Sequence, residues 1–269
     1  MASEKLTRKE IREPDPFERI TRAIWAKLVE RQKLVGLALL AVFALFVVAA
    51  VAVRMSQAKS KEAGAALARA MELARRPVEG SMEALQDPKA EKFPTFKAKN
   101  EAMAKALDEV RAQHPGTEAA RTATVFWADA EFQLGKLDEA TKGYEEYLAQ
   151  TRPGDSLRVL ADEGLGYSWE AKKDLDKAYQ AFDAMNREAA GDPEKARAAY
   201  QLARILEEQG KKTEAAQAFQ KVKDEYKEAP AARDADERLA LLAMQGVAVP
   251  EKAKDATKTA AADAAPKKP

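Results

Sequence analysis

The 269-residue chain has no cysteine and one histidine, His114. The first absence excludes disulfides, thiolate zinc sites and cysteine nucleophiles, and it is compatible with an oxidising compartment without requiring one. The second makes any Ser-His-Asp arrangement depend on His114, which stands before Pro115-Gly116 at a helix end, where a carboxy-terminal cap is the simpler role. No serine sits in a nucleophile-elbow context. Glycine and proline number 12 each, too few and too scattered for a glycine-rich phosphate loop. A formal net charge of +1 offers no electrostatic case for nucleic acid. Adjacent acidic residues such as Asp138-Glu139, Glu145-Glu146 and Glu207-Glu208 point about 100° apart on a helix, so they read as solvated faces or partners of nearby Lys and Arg. Enzymatic chemistry, a cofactor, a metal and a small-molecule substrate are therefore not expected. What remains is a chain dominated by Ala, Glu, Lys, Leu and Arg, with β-branched residues concentrated in one stretch: an all-α protein.

That stretch is Leu34 to Val53, LVGLALLAVFALFVVAAVAV, without a charged or strongly polar side chain. At about 1.5 Å per residue, such a helix matches the hydrocarbon thickness of a bilayer, roughly 30 Å. Lys33 and Arg54 bound it and can snorkel to headgroups. Two rivals exist. A buried soluble helix rarely keeps every face apolar for so long. A signal peptide ending at Ala50-Val51-Ala52 would need an unusually long charged lead and an apolar core beyond the usual range of about 7–15 residues. The reading is a single-pass anchor.

Before the anchor, Met1 to Glu13 lacks an apolar period and is expected to be disordered. Asp15, Pro16 and Glu18 form a helix-start signal. Phe17, Ile20, Ile24 and Leu28 then recur at helical spacing, flanked by Trp25, with Arg19, Arg22, Lys27 and Arg31 mostly on the other faces. The pattern suits a helix lying on a membrane surface, or one that continues the anchor or packs on a partner. The cations close to the anchor are balanced, but Arg12, Arg19 and Arg22 add weight to the amino-terminal side, favouring a cytoplasmic amino terminus and an exported carboxy-terminal domain.

After the anchor a long helix is expected over residues 60–76, then a loop punctuated by Pro77, Gly80, Pro88 and Pro94 with one short helix inside it, then a helix from Phe96 to Gln113. Internal repetition follows. Gly135-Lys-Leu-Asp-Glu-Ala140, Lys173-Asp-Leu-Asp-Lys-Ala178 and Gly210-Lys-Lys-Thr-Glu-Ala215 align at spacings of 38 and 37 residues. Four residues beyond each alanine comes an aromatic (Tyr144, Phe182, Phe219), and seven beyond it another core residue (Tyr147, Met185, Val222). Twelve before it stands a small residue (Ala128, Gly166, Ala203), preceded by Trp127, Leu165 and Leu202. Each repeat is thus a helix, a tight turn and an antiparallel second helix, and stability comes from stacking repeats.

These columns resemble the tetratricopeptide repeat over about residues 117–228. Thr124, Asp162 and Ala199 stand where that family prefers a large residue, Glu131 replaces an aromatic, and Lys173 replaces the turn glycine. Arg233 to Gln245 reads as a final capping helix. The resulting domain plan is an amino-terminal arm with its amphipathic helix (1–33), the anchor (34–53), a tetratricopeptide-repeat-like helical solenoid (54–246) and a flexible Ala/Lys/Pro-rich tail (247–269). The layout also resembles bacterial inner-membrane proteins related to the ancillary subunit of the Sec translocon. That resemblance implies repeats in the periplasm and partners among translocon subunits, periplasmic chaperones or exported clients.

The resemblance implies a binding groove lined by the first helix of each repeat: Val125, Asp129 and Phe132, then Glu163 and Tyr167, then Tyr200 and Arg204. Aromatic and charged side chains together suit an extended or helical peptide segment. Phe132 and Tyr200 also fit as core residues. Arg197 and Arg204 are the nearest approach to a basic clamp for a carboxylate. The expected function is a membrane-anchored protein-interaction module assisting export or envelope biogenesis, with two alternatives: a structural scaffold of a division or secretion machine, or a cytosol-facing receptor.

Overall fold

The computed structural model describes residues 16–87 and 89–249. The elements are α1 (Pro16–Glu30), α2 (Gln32–Arg75), α3 (Met82–Gln86), α4 (Phe96–Gln113), α5 (Glu118–Gln133), α6 (Leu137–Gln150), α7 (Arg158–Ala171), α8 (Leu175–Glu188), α9 (Asp192–Glu208), α10 (Lys212–Glu225) and α11 (Pro230–Met244). Among the described residues the only extended pairing is a single bridge between Val78 and Phe93, which closes the loop around α3. The expected disorder before Glu13, the cap at Asp15 and the tail from residue 250 lie outside the described residues.

The chain divides into two compact parts, residues 1–59 and 60–269. In the first, α1 begins at Pro16, whose missing N–H is no loss in a first helical turn. The apolar run lies in α2, which is, among the described residues, the one helix long and apolar enough to cross a membrane by length and composition. Its side chains are exposed on every face, from Leu34 at 62% through Phe46 at 71% to Val53 at 56%. Residues 54–59 are also helical, and α2 has no break before Arg75. The sequence there offers neither proline nor a cap, and its Ala, Met, Gln and Lys residues are good helix formers.

In the second part, start signals set the helices in place. Ser81 caps α3 by accepting from the Ala84 N–H at 3.2 Å, Thr95 caps α4 through Ala98 at 3.0 Å, and Thr117 caps α5 through Ala120 at 3.1 Å. Asp174 does the same for α8 through Lys177 at 3.1 Å. His114 occupies the carboxy-terminal cap of α4, its N–H on the Val110 carbonyl. Ala70, Leu107, Val110 and Ala123 form the first core cluster, joining the later turns of α2 to α4 and α5.

Three helical pairs follow, α5–α6, α7–α8 and α9–α10, with the columns where their spacing puts them. Ala140, Ala178 and Ala215 are completely buried, as are Ala128 and Ala203, and Tyr144, Phe182 and Phe219 are at most 1% exposed. The small residues are required by these aromatics. A Cβ on Gly166 would stand 2.6 Å from Phe182 Cε1, and one on Gly164 would stand 2.6 Å from Tyr144 Cε1. Tyr144 therefore presses on the first helix of the next repeat, while Phe182 presses on the first helix of its own.

The joints are equally regular. Gly135 donates its N–H to Phe132 and Lys136 donates to Glu131, both at 2.9 Å, which closes α5 in a Schellman turn. The same pair of bonds recurs at Lys173 and Asp174, at Gly210 and Lys211, and at Gly246 and Val247. The central residue is left-handed each time, with φ of 75°, 66°, 79° and 80°. The fourth turn shows that α11, beyond capping the array, ends as a first helix does. Its Ala235, Leu239 and Leu242 join the cluster built on Phe219, and Val247 and Val249, assigned to the tail by sequence, pack there too.

Candidate protein-binding groove

First helices meet along one side of the array. On α7, Glu163, Tyr167 and Glu170 lie at i, i+4 and i+7, and on α9 Arg197, Gln201 and Arg204 repeat that spacing 34 residues later. The two rows interlock. Arg197 Nε pairs with Glu163 Oε1 at 2.8 Å. The Gln201 amide donates to the Tyr167 hydroxyl at 2.7 Å and accepts from Arg204 Nε at 2.8 Å. Both terminal nitrogens of Arg204 donate to Glu170, each at 2.5 Å, and one also reaches Glu208 at 2.8 Å. The next rung joins Glu207 on α9 to Arg238 on α11, with contacts at 2.7 and 3.0 Å.

The offset has a geometric origin. Equivalent columns of α7 and α9 are 37 residues apart, yet facing residues differ by 34, so α9 meets α7 about one turn earlier than the repeat alone would place it.

Electrostatics follows from the pairing. Burial raises the Glu170 carboxyl, but the hydrogen bonds and the charge of Arg204, with smaller help from Glu208 and Lys173, together hold the group below its ordinary value. The same bonds raise the Arg204 guanidinium. Glu208 is raised by burial and by the neighbouring charge of Glu170. Burial likewise raises the Tyr167 and Tyr200 hydroxyls. On α5, burial raises Asp129 against the hydrogen bond that it accepts from the Tyr144 hydroxyl, and Glu163 adds to the rise.

The seven residues expected in the groove are thus sorted. Glu163, Tyr167 and Arg204 come together in the α7–α9 ladder. Tyr167 is also held edge-on against Phe182, ring centroids 5.3 Å apart. Asp129 is half-buried beside Tyr144. Val125 requires correction: it is 0% exposed and packs with Ala128, Ala140 and Tyr144, so it is core and cannot touch a ligand. Phe132 leans on the same cluster, and Tyr200 tilts against Phe219 at 5.5 Å. Val125, Glu163 and Tyr200 are one repeat column, placed at the seam between a first helix and its own second helix. An apolar member of that column turns into the seam, whereas the charged Glu163 reaches across to Arg197.

Glu208 is the i, i+4 partner of Arg204, one of the two roles expected of the adjacent acidic residues, whereas Glu170 and Gln201 were missed from the sequence. Their signal was the recurrence of one i, i+4, i+7 pattern at a separation of 34 residues. Their presence also revises the clamp suggested by Arg197 and Arg204, since both guanidiniums already hold carboxylates of this chain. The ladder opens at the Arg197 end, where the side chain is 45% exposed and borders a shallow cleft lined by Gly154, Val159, Leu160 and Glu188. Among the described residues no group of three or more His, Cys, Asp or Glu could hold a metal ion.

Solved structures share this architecture. Two crystal structures of a kinesin light chain protein from Podosopora anserina, with nearly identical TPR-like repeats, match with TM-scores of 0.52 and 0.51. In both, 67% of this chain is covered, 86% of the other, and 17% of aligned residues are identical. No protein-family model and no curated protein matches the sequence. The fold is a TPR-like helical repeat.

Proposed function

We propose that the protein is a membrane-anchored interaction module that assists protein export or envelope biogenesis by holding translocon subunits, chaperones or exported clients against its repeats. The observation that carries this reading is the coexistence of an apolar, all-round exposed helix from Leu34 to Val53 with a stacked TPR-like array. The array would raise the local concentration of its partner at the membrane. The resemblance of the layout to relatives of the Sec ancillary subunit supports a periplasmic array and a cytoplasmic amino terminus. Within the groove, the binding end is the cleft at Arg197, together with the half-buried Asp129 and Phe132 on α5, the first helix before α7. Tyr167 and Arg204 hold that surface in shape.

A scaffold role in a division or secretion machine is favoured by one specific observation. The central charges of the groove are satisfied internally, which leaves other faces to carry a fixed partner.

Photocrosslinking from solubilised membranes tests the reading, with a benzophenone amino acid at Arg197 and a control on the exposed Lys142 of α6. Translocon subunits, chaperones or unfolded exported clients crosslinked from position 197 alone are the expected result. A fixed set of division or secretion components would replace it with the scaffold reading. Exclusively cytosolic partners would invert the topology, and crosslinks from position 142 alone would move the site off the groove.

A further inference from the structure

We infer that α1 is an interfacial helix that lies along the anionic lipid headgroups of the membrane crossed by Leu34–Val53; the inference rests on that anchor reading. Ile20, Ile24 and Leu28 form one line along α1 at i, i+4 and i+8, with Trp25 beside them, and they are 59%, 55%, 43% and 70% exposed. The chain provides no cover for this face among the described residues. The opposite face is charged and internally ordered, with Arg22 donating to Glu18 at 2.6 Å. Even Thr21, next to the apolar line, turns its hydroxyl back on the Phe17 carbonyl at 2.8 Å. The side that points away from the charges therefore presents carbon.

Two further facts choose the occupant. Only Arg31 separates the end of α1 at Glu30 from the start of α2 at Gln32, and the apolar run begins at Leu34. Four Cα–Cα steps from Glu30 to Leu34 reach at most about 14 Å, so the carboxy-terminal end of α1 stays close to the headgroup layer once Leu34 is at the hydrocarbon boundary. Between Phe17 and Lys33 the chain also carries five cations (Arg19, Arg22, Lys27, Arg31, Lys33) against Glu18 and Glu30. A net positive helix with one apolar face, tied to the bilayer surface, has the properties of an in-plane anchor for anionic lipid. Trp25 at the margin of that face matches the preference of indole for the headgroup level.

The absence of cysteine allows a clean test on the full chain. Single spin labels go on Ile24→Cys, Ala26→Cys and Val42→Cys, in liposomes of phosphatidylcholine with and without phosphatidylglycerol. Collision rates with oxygen report lipid exposure, and those with a water-soluble nickel chelate report water exposure. Position 24 should favour oxygen and position 26 nickel, and the contrast should grow when phosphatidylglycerol is present. Equal, nickel-dominated rates at 24 and 26, with position 42 still protected, would place α1 in water and overturn the inference while sparing the anchor. Dipolar broadening between labels at position 24 would overturn it in favour of a second copy. Nickel access at position 42 would remove the anchor reading itself. An insertion that ignores phosphatidylglycerol would overturn the anionic preference.

Discussion

Arg204 on α9 grips Glu170 on α7 end-on, one guanidinium nitrogen to each carboxylate oxygen, while its Nε reaches Gln201. Both partners are largely shielded from water, with side-chain exposures of 20% and 19%. Removing one partner leaves the other charge poorly solvated, which costs more than removing the pair. Arg204→Met should lower stability by about 2 kcal/mol, and Glu170→Leu by a similar amount. The double variant should recover much of that loss. Urea unfolding of the full chain in detergent, run as a double-mutant cycle, measures the coupling; additive losses would show that the pair contributes nothing beyond its separate parts.

Lys173 occupies the left-handed position of a turn that uses glycine at its three other occurrences, with φ of 66°. A side chain there costs about 1–2 kcal/mol, part of which glycine gives back through its freedom in the unfolded chain. Lys173→Gly should stabilise the array by about 0.5–1 kcal/mol. A rise in the thermal midpoint, with an unchanged circular dichroism spectrum, is the expected measurement.

Two helical glycines should respond with opposite signs. Gly64 in α2 has no neighbour that a Cβ would meet within 4 Å, so Gly64→Ala should stabilise by about 1 kcal/mol from helix propensity alone. Gly164 in α7 lies under the Tyr144 ring, and Gly164→Ala should destabilise by about 1–3 kcal/mol through overpacking. Pairing Gly164→Ala with Tyr144→Leu should remove most of that penalty, because the ring is the atom group in the way.

Asp162 is only 3% exposed, its Oδ2 has no hydrogen-bond partner, and burial pushes its pKa up to about 6, against the lowering influence of Arg158. The folded state therefore binds a proton more readily than the unfolded chain between the ordinary carboxylate value and about pH 6. Its contribution falls as pH rises through that window, and the full penalty is present at neutral pH. Asp162→Asn should raise stability by about 1–3 kcal/mol at pH 7 and by little at pH 4. The difference between the two unfolding curves across that range reads this group alone; a constant difference would show that the carboxyl does not titrate on folding.

The repeat columns carried most of the fold because each one encodes a single steric relation. A small residue at 128, 166 or 203 faces an aromatic or its neighbour, and both halves of the relation are visible as residue types. The limits of α4 (Phe96–Gln113) and the short α3 inside its loop were also legible, since Pro77, Gly80, Pro88 and Pro94 mark the loop and Pro115-Gly116 the helix end. The groove was less so. Val125 shares a helical face with Asp129 and Phe132 on paper, but burial at a seam depends on what the second helix presses against it, and Tyr144 fills that space. The cross-helix partners Glu170 and Gln201 depend on the one-turn offset between α7 and α9. No single repeat contains that offset. It emerges only when repeats stack.

The four equal turns at Gly135, Lys173, Gly210 and Gly246 have a consequence for how such an array changes length. Each joint presents the same backbone geometry to whatever follows, so a segment cut between two of them leaves ends that still match. Duplication or loss of a whole repeat is then a register-preserving event. The chain can lengthen or shorten its partner surface in steps of one repeat while every joint keeps the same turn.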